Sequence, residues 1–402
     1  MIYNRFLEEQ MKKNLKKSVL VGVSALLSLS LFAAPSKDYV TQEINAADRC
    51  LPTFYEAIKS KWTFSLGWKD GVKPADWKKA GLAKARELMI QNEDNTPFDM
   101  VVIAEEEREG YMAQKVVFNI SAESRVLAYL LVPKGKKKCP AALMLHDHGS
   151  KFTIGKEKMV RPFALSDEES SKLSEAENWS NRYFGGVFPG DELAKRGYVV
   201  LSFDALGWGD RSVKGFKTDS QQSLASNLFN MGTSFAGIIA QEDVRAAKFL
   251  ASLKQVDNKK IACIGFSMGG FRSWQLAALS DDIAAGVAVC WFGTMKGHII
   301  NGDGQLKGNS AFSMLHPTIA KYLDYPDVAG LAAPKAMYFI GGDDDAVNPT
   351  DGTKEAYEKI QKIWKANKAE NKLKTELIAG GGHEYLPEQQ KSSFDWLDAQ
   401  FK

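Results

Sequence analysis

The residues best suited to chemistry form the segment Gly265-Phe266-Ser267-Met268-Gly269, which has the pattern Gly-x-Ser-x-Gly. This pattern also arises by chance in ordinary loops. Here, however, a short apolar run precedes it, and residues 271–279 after it have the composition of a buried helix. A strand, a sharp turn and a helix would lift the serine hydroxyl out of the sheet on strained backbone, with glycine needed on both sides. We predict that Ser267 is a nucleophile and that the N–H of Met268 faces the developing oxyanion.

Two further polar clusters follow predicted strands later in the chain. Three adjacent aspartates lie within Gly341–Pro349, and His383 lies within Gly380–Glu384. A serine hydroxyl needs an imidazole to take its proton and a carboxylate to hold that imidazole, and here they occur in the chain order Ser, Asp, His. We predict His383 as the base and Asp345 as the acid, with Asp344 as the alternative acid. The competing interpretations are a surface histidine and a solvated aspartate turn.

The segment His146–Ser150 follows a continuous apolar run, residues 141–146, which predicts a strand buried on both faces of a parallel sheet. Ligands of open α/β sheets bind at the carboxyl ends of the strands. We therefore predict that the N–H of Gly149 or of Ser150 is the second oxyanion donor. The two histidines of this segment also suggest a metal site, but no third ligand of metal-like spacing follows, so we predict neither a metal nor a cofactor.

Predicted strands and helices alternate between about residues 111 and 402. The predicted strands are 115–120, 125–132, 141–146, 197–204, the run before Ser267, 286–291, 335–342 and 374–379. The alternation predicts an α/β fold with a mostly parallel, doubly wound sheet and helices on both faces. Two insertions are expected, a polar and irregular one at about 151–190 and a lid-like one at 292–333. Residues 34–110 are predicted to form a helical, Trp-rich extension.

The first 33 residues have the order of an export signal, in which lysines precede an apolar run that ends in small residues. Cleavage is expected after Ala33. The apolar run is too short for a comfortable transmembrane span. We predict an exported protein, periplasmic or secreted, with no membrane association after the signal is removed.

Composition gives little indication of a macromolecular partner. The 402 residues include 52 basic and 49 acidic ones, a formal net charge of +3, so neither nucleic acid nor a membrane surface is expected as a partner. Cys50 and Cys139 could form a disulfide in an oxidising compartment. The oligomeric state is left open.

On these motifs the chain resembles the α/β-hydrolase superfamily, in particular its dienelactone hydrolase-like and acetyl xylan esterase-like branches and exported proteins of this type in Bacteroidetes. The segments that carry the resemblance are His146–Gly149, Gly155–Lys158, Asp204–Arg211, Gly265–Gly270, His316-Pro317, Tyr325–Ala329, Asp345 and His383. The resemblance covers roughly residues 110–400 and implies deacylation without a cofactor. Acetyl xylan esterases of this type have a His-Gly-Tyr turn where this chain has His148-Gly149-Ser150, so the choice between the two donors stays open.

The hypothesis that results is a serine carboxylesterase that removes acetyl or other acyl groups from plant-type polysaccharides or oligosaccharides through an acyl-enzyme. Trp208 and Trp291, both near predicted strand ends, would shape the pocket together with the 292–333 insertion, and His148 is a further candidate contact. The alternatives are a dienelactone hydrolase-like activity, a peptidase, and a non-catalytic carbohydrate-associated protein that keeps the fold.

Overall fold

A nine-stranded sheet organises the computed structural model, which describes residues 55–90, 94–135, 137–299 and 311–402. The predicted export signal and Cys50 lie outside the described residues. Cys139, the predicted disulfide partner, is buried at the start of a strand.

The strand order across the sheet is β1-β2-β3-β5-β4-β6-β7-β8-β9. The strands are β1 Val101–Arg108, β2 Tyr111–Asn119, β3 Arg125–Pro133, β4 Cys139–Leu145, β5 Val199–Phe203, β6 Val256–Phe266, β7 Ala285–Val289, β8 Ala336–Gly342 and β9 Leu373–Ile378. The first three pairs in this order, β1/β2, β2/β3 and β3/β5, are antiparallel. The remaining pairs, from β5/β4 to β8/β9, are all parallel. This is the mostly parallel sheet that the sequence predicts.

Helices cover both faces of this sheet. Within the described ranges they are α1 Tyr55–Ser60, α2 Pro74–Met89, α3 Asp167–Tyr183, α4 Pro189–Lys195, α5 Thr218–Asn230, α6 Phe235–Ser252, α7 Met268–Leu279, α8 Met295–His298, α9 Tyr325–Gly330, α10 Thr350–Ala366 and α11 Pro387–Phe401. None of the helices in this part of the chain is long and apolar enough to cross a membrane.

Two apolar cores lie on opposite faces of the sheet, because successive side chains of a strand point to opposite sides. In β4, Leu143 and Leu145 belong to the core that contains α2, α6, α7 and α10, whereas Ala142 and Met144 belong to the core beneath α4 and α11. Strands that contribute to both cores need apolar residues at nearly every position, which explains the uninterrupted apolar runs in the sequence.

A buried ion pair connects α7 to α6. Nε and one terminal nitrogen of Arg272 lie 2.9 and 2.7 Å from the two carboxylate oxygens of Asp243, and both side chains are 1% exposed. Two parallel charge-assisted hydrogen bonds fix the orientation of a planar guanidinium. The pair therefore holds the helix that follows Ser267 in one register.

Three segments differ from the prediction. Residues 101–108 form β1 rather than helix, so the predicted boundary near residue 110 falls within the β1–β2 hairpin. The insertion at 151–190 contains a 17-residue helix, α3, and a fully buried 3₁₀ turn at Lys156–Lys158. The helix α5 was not predicted at all. β1 lies at the sheet edge and α3 is polar, so neither shows the strong apolar periodicity on which such predictions depend.

Candidate active site

Ser267 occupies a sharp turn between β6 and α7. Its backbone has φ 56° and ψ −121°, a region that side-chain-bearing residues rarely occupy. A Cβ at Gly265 would lie 2.0 Å from the carbonyl oxygen of Gly269, and a Cβ at Gly269 would lie 1.9 Å from that of Leu145. Both flanking glycines are therefore required by close backbone approach, as the sequence pattern indicates.

Three side chains from separate strand ends meet at this turn. Nε2 of His383, which follows β9, lies 2.9 Å from Oγ of Ser267. Nδ1 of the same ring lies 2.8 Å from Oδ2 of Asp345, which follows β8. Because the carboxylate accepts the proton of Nδ1, Nε2 is free to accept the serine proton. Ser267 is 9% exposed and the Asp345 side chain is fully buried, so the site is largely screened from water.

Of the three adjacent aspartates, Asp345 is the one whose carboxylate contacts His383. It also accepts hydrogen bonds from the N–H groups of Val347 and Asn348, at 2.8 and 3.2 Å. Asp343 and Asp344 are exposed. They instead connect the loop after β8 to the loop after β9, which carries His383. The carboxylate of Asp343 accepts the N–H of Gly380 at 2.6 Å, and the backbone N–H of Asp344 donates to the carbonyl oxygen of Gly381 at 3.0 Å.

The turn after β4 is braced by the imidazole of His148. The N–H of Ser150 donates to Nδ1 of His148 at 3.1 Å, and Nε2 donates to Oε1 of Gln221, on α5, at 2.9 Å. Burial lowers the pKa of His148, in agreement with a neutral ring that accepts at one nitrogen. Since the Ser150 N–H already has a partner, Gly149 is favoured of the two predicted oxyanion donors. Gly149 has φ 54°, in the left-handed region.

The two tryptophans predicted to shape the pocket are both buried. Trp208 is fully buried, and its indole N–H donates to the carbonyl of His148 at 3.0 Å. Trp291 is 1% exposed and stacks on His298, with ring centroids 4.4 Å apart and an interplanar angle of 10°. Trp208 thus supports the turn after β4, and contact of either indole with a substrate remains a prediction.

Two residues that contact this turn were not predicted from the sequence. Gln221 binds His148, and the ammonium of Lys158 donates to two carbonyls of the turn. A lysine in a polar segment is ordinarily read as exposed, yet Lys158 is fully buried. Lys158 lies in Gly155–Lys158, one of the segments that carry the family resemblance, and this position was the sequence feature that could have indicated its role.

A cluster of three carboxylates beside this region surrounds the ammonium of a lysine. Carboxylate oxygens of Glu157, Asp204 and Asp210 lie within 4.8 Å of one another, and Nζ of Lys156 lies 2.9, 2.8 and 2.6 Å from them. Burial raises the pKa of Asp204 to about 6. Burial would also raise that of Asp210, but Lys156 and Lys172 outweigh it and lower the pKa to about 2. The lysine ammonium thus serves as the cation of this cluster.

Comparisons with known proteins agree with this architecture. Residues 47–370 match the sequence profile of the Abhydrolase family, a range that includes Ser267 and Asp345 and ends before His383. The "Putative hydrolase YtaP" of Bacillus subtilis (strain 168) is 24% identical over 292 residues, covering 72% of this chain and 89% of the relative.

Two solved structures are similar in fold. A putative acetyl xylan esterase from Bacteroides fragilis NCTC 9343 has a TM-score of 0.66 at 16% identity, over 80% of each chain. A glucuronoyl esterase from Solibacter usitatus has a TM-score of 0.59 at 15% identity, over 84% of this chain and 97% of the other. At such identities the likeness establishes a shared chain topology.

Proposed function

The chain belongs to the Abhydrolase family and is a hydrolase with the α/β-hydrolase fold, and from this premise we propose that it is a serine carboxylesterase. The observation that carries the proposal is the pair of contacts made by His383, 2.9 Å to Ser267 Oγ and 2.8 Å to Asp345 Oδ2. Such contacts supply the proton transfer and the orientation that a hydroxyl nucleophile needs.

In the proposed reaction, Oγ of Ser267 attacks the ester carbonyl while Nε2 of His383 takes its proton. Asp345 stabilises the imidazolium, and the N–H of Met268 with a second N–H from the turn after β4 binds the oxyanion. The intermediate collapses to an acyl-enzyme, and His383 returns the proton to the departing alcohol. A water molecule, deprotonated by His383, then attacks the carbonyl of the acyl-enzyme. The acid is released, and His383 returns the proton to Oγ of Ser267.

The proposed substrate is an acylated carbohydrate, with acetyl as the preferred acyl group. Support comes from the two structural neighbours, one a putative acetyl xylan esterase and the other a glucuronoyl esterase, and from the resemblance described above. The predicted export signal at 1–33 would deliver the protein to a compartment where such polymers are met.

The nucleophile is tested with a fluorophosphonate probe and p-nitrophenyl acetate. We expect the wild-type protein to be labelled and to hydrolyse the ester, and Ser267→Ala to do neither above background. Equal hydrolysis by both proteins would exclude Ser267 as the nucleophile. An unlabelled, inactive wild-type protein would favour the non-catalytic alternative.

The substrate class is tested by measuring acetate released from acetylated xylan and acetylated oligosaccharides, beside a peptide and a lactone. We expect the acetylated carbohydrates to give the highest kcat/KM. A higher value for the lactone or the peptide would replace the carbohydrate proposal with one of those activities, and the same Ser267→Ala variant serves as the blank for every substrate.

A further inference from the structure

A fully buried ammonium group lies behind the turn after β4. Nζ of Lys158 donates to the carbonyl oxygens of Asp147 and His148, at 3.2 and 3.1 Å. It lies 3.4 Å from Oδ1 of Asp147 and 4.7 Å from the ring centroid of Trp179. Burying an ammonium is costly unless its N–H groups find hydrogen-bond acceptors. The two carbonyl oxygens supply those acceptors and so stabilise the charge at this position.

The same two carbonyls have further donors. Nδ1 of His146 lies 2.8 Å from the carbonyl oxygen of Asp147, and the indole N–H of Trp208 donates to that of His148 at 3.0 Å. Nε2 of His146 accepts the N–H of Ala205 at 3.0 Å, so its Nδ1 carries the proton and donates. Each carbonyl is therefore held by two donors, one of which is Lys158.

The direction of these carbonyls determines the direction of two N–H groups. The Asp147 carbonyl shares a peptide group with the N–H of His148, and the His148 carbonyl shares one with the N–H of Gly149. In a trans peptide the C=O and the N–H point in opposite directions. With both carbonyls directed at Lys158, the N–H groups of His148 and Gly149 face away from it.

This turn lies directly against the turn that carries Ser267. β4 and β6 are parallel neighbours, with Leu145 paired to Gly265. A Cβ at Gly269 would lie 1.9 Å from the carbonyl oxygen of Leu145 and 3.1 Å from that of His146. The backbones of the two turns thus approach closely, and a small rotation of either would change the distance between their N–H groups.

We propose that Lys158 is a positioning residue of the oxyanion site, holding the peptide groups of His148 and Gly149 so that their N–H groups serve the oxyanion formed at Ser267. The inference rests on the proposed esterase function. Lys158 acts in two ways: it fixes the orientation of both peptides, and its charge polarises them, because a hydrogen bond accepted at the C=O strengthens donation from the N–H of the same group.

The test is Lys158→Met in the full chain, assayed with p-nitrophenyl acetate. Loss of one oxyanion donor costs roughly 10²- to 10³-fold in kcat. We expect kcat to fall about 100-fold with KM changed by less than about 3-fold, since the N–H groups act on the transition state more than on the bound ester. The affinity for an alkyl boronic acid, which mimics the tetrahedral state, should fall in parallel with kcat.

Lys335→Met is the matched control. Nζ of Lys335 also donates to two backbone carbonyls, those of Ala277 at 2.9 Å and Ser280 at 2.6 Å, but at the far end of α7. We expect this variant to lose thermal stability while its kcat stays within about 3-fold of wild type. The double variant Asp147→Asn/Lys158→Met removes the stranded carboxylate and should recover stability without recovering kcat.

The failure of this inference differs from the failure of the proposed function. Hydrolysis that survives Ser267→Ala overturns both. Hydrolysis that depends on Ser267 but is unaffected by Lys158→Met, or is affected only through KM, overturns the inference alone. If Lys158→Met does not fold, the double variant Asp147→Asn/Lys158→Met is assayed in its place, because it also lacks the ammonium that binds both carbonyls. A lower kcat at unchanged KM then supports the inference, and an unchanged kcat overturns it.

Discussion

Nδ1 of His383 lies 2.8 Å from Oδ2 of Asp345, although Asp343 and Asp344 immediately precede that aspartate in the chain. The selection is made by the backbone after β8. The N–H groups of residues 347 and 348 bind the Asp345 carboxylate, and the two exposed aspartates connect the same loop to the His383 loop. Of the three aspartates, Asp345 therefore contacts the imidazole, and Asp343 and Asp344 hold the two loops together.

The first prediction separates these aspartates. Asp345→Asn should lower kcat by about 10³- to 10⁴-fold, because an amide cannot hold the imidazole in the productive tautomer or stabilise its cation. Asp344→Asn, the matched control, should stay within about 3-fold of wild type. Steady-state hydrolysis of p-nitrophenyl acetate, with circular dichroism to confirm folding, makes the comparison. A large loss in the Asp344 variant alone would assign the acid to Asp344.

The second prediction concerns the turn of Ser267. Gly269→Ala would place a methyl group 1.9 Å from the Leu145 carbonyl oxygen, and only a backbone shift could relieve it. We expect a loss of at least about 3 kcal/mol in the free energy of unfolding, measured by urea denaturation. Gly382→Ala is the control, since no heavy atom lies within 4 Å of its Cβ position, and it should cost less than about 1 kcal/mol. Equal costs would contradict the close approach.

The third prediction is a pH dependence of stability that comes from His316. His316 is 7% exposed, and its Nε2 lies 2.7 Å from Oε1 of Gln275. Burial lowers the pKa of the ring from 6.5 to about 3. Because the unfolded chain binds a proton that the folded ring does not, the stability is present above pH 6.5 and is lost as the pH falls toward 3. The slope is at most about 1.4 kcal/mol per pH unit.

Urea denaturation of wild type and His316→Phe across pH 4 to 7 isolates this contribution from that of the carboxylates. The phenyl ring keeps the stacking on Phe271 but cannot titrate. The difference in the free energy of unfolding between the two proteins should change steadily below pH 6.5 and be constant above it. A difference that is constant over the whole range would show that His316 does not titrate as expected.

The fourth prediction concerns the Arg272–Asp243 pair. Asp243→Asn leaves a guanidinium buried without its counter-charge and should cost about 3–5 kcal/mol in the free energy of unfolding. The double change Asp243→Leu/Arg272→Met replaces the pair by apolar groups of similar size and should recover most of that loss. Chemical denaturation of the two variants tests this, and a double variant less stable than the single one would contradict it.

The parts of the site that follow from the sequence are those whose signal is local. Ser267 was predicted from glycines that a tight turn requires, and Asp345 and His383 from loops that directly follow apolar strands. Each of these patterns spans fewer than ten residues of the chain. The doubly wound sheet was predicted for the same reason, because strands buried on both faces are continuously apolar.

The parts that the sequence did not reveal depend on contacts between distant segments. The partner of the Ser150 N–H is the ring of His148, and that ring is fixed by Gln221, on a helix that was not predicted. The burial of Lys158 is decided by Asp147 and Trp179, each more than ten residues away. For α3 one local signal existed: Ser166 accepts the N–H of Glu169, a Ser-x-x-Glu start that a search for capping patterns would find.

The ammonium of Lys156 among Glu157, Asp204 and Asp210 has a consequence for the segments that follow β4 and β5. In many proteins a group of carboxylates is balanced by a bound metal ion such as calcium, which can dissociate. Here the balancing charge is tethered covalently to the loop itself. Neither a chelator nor a change in the mineral content of the medium can remove this charge, so the charge balance of these loops does not depend on a dissolved metal ion.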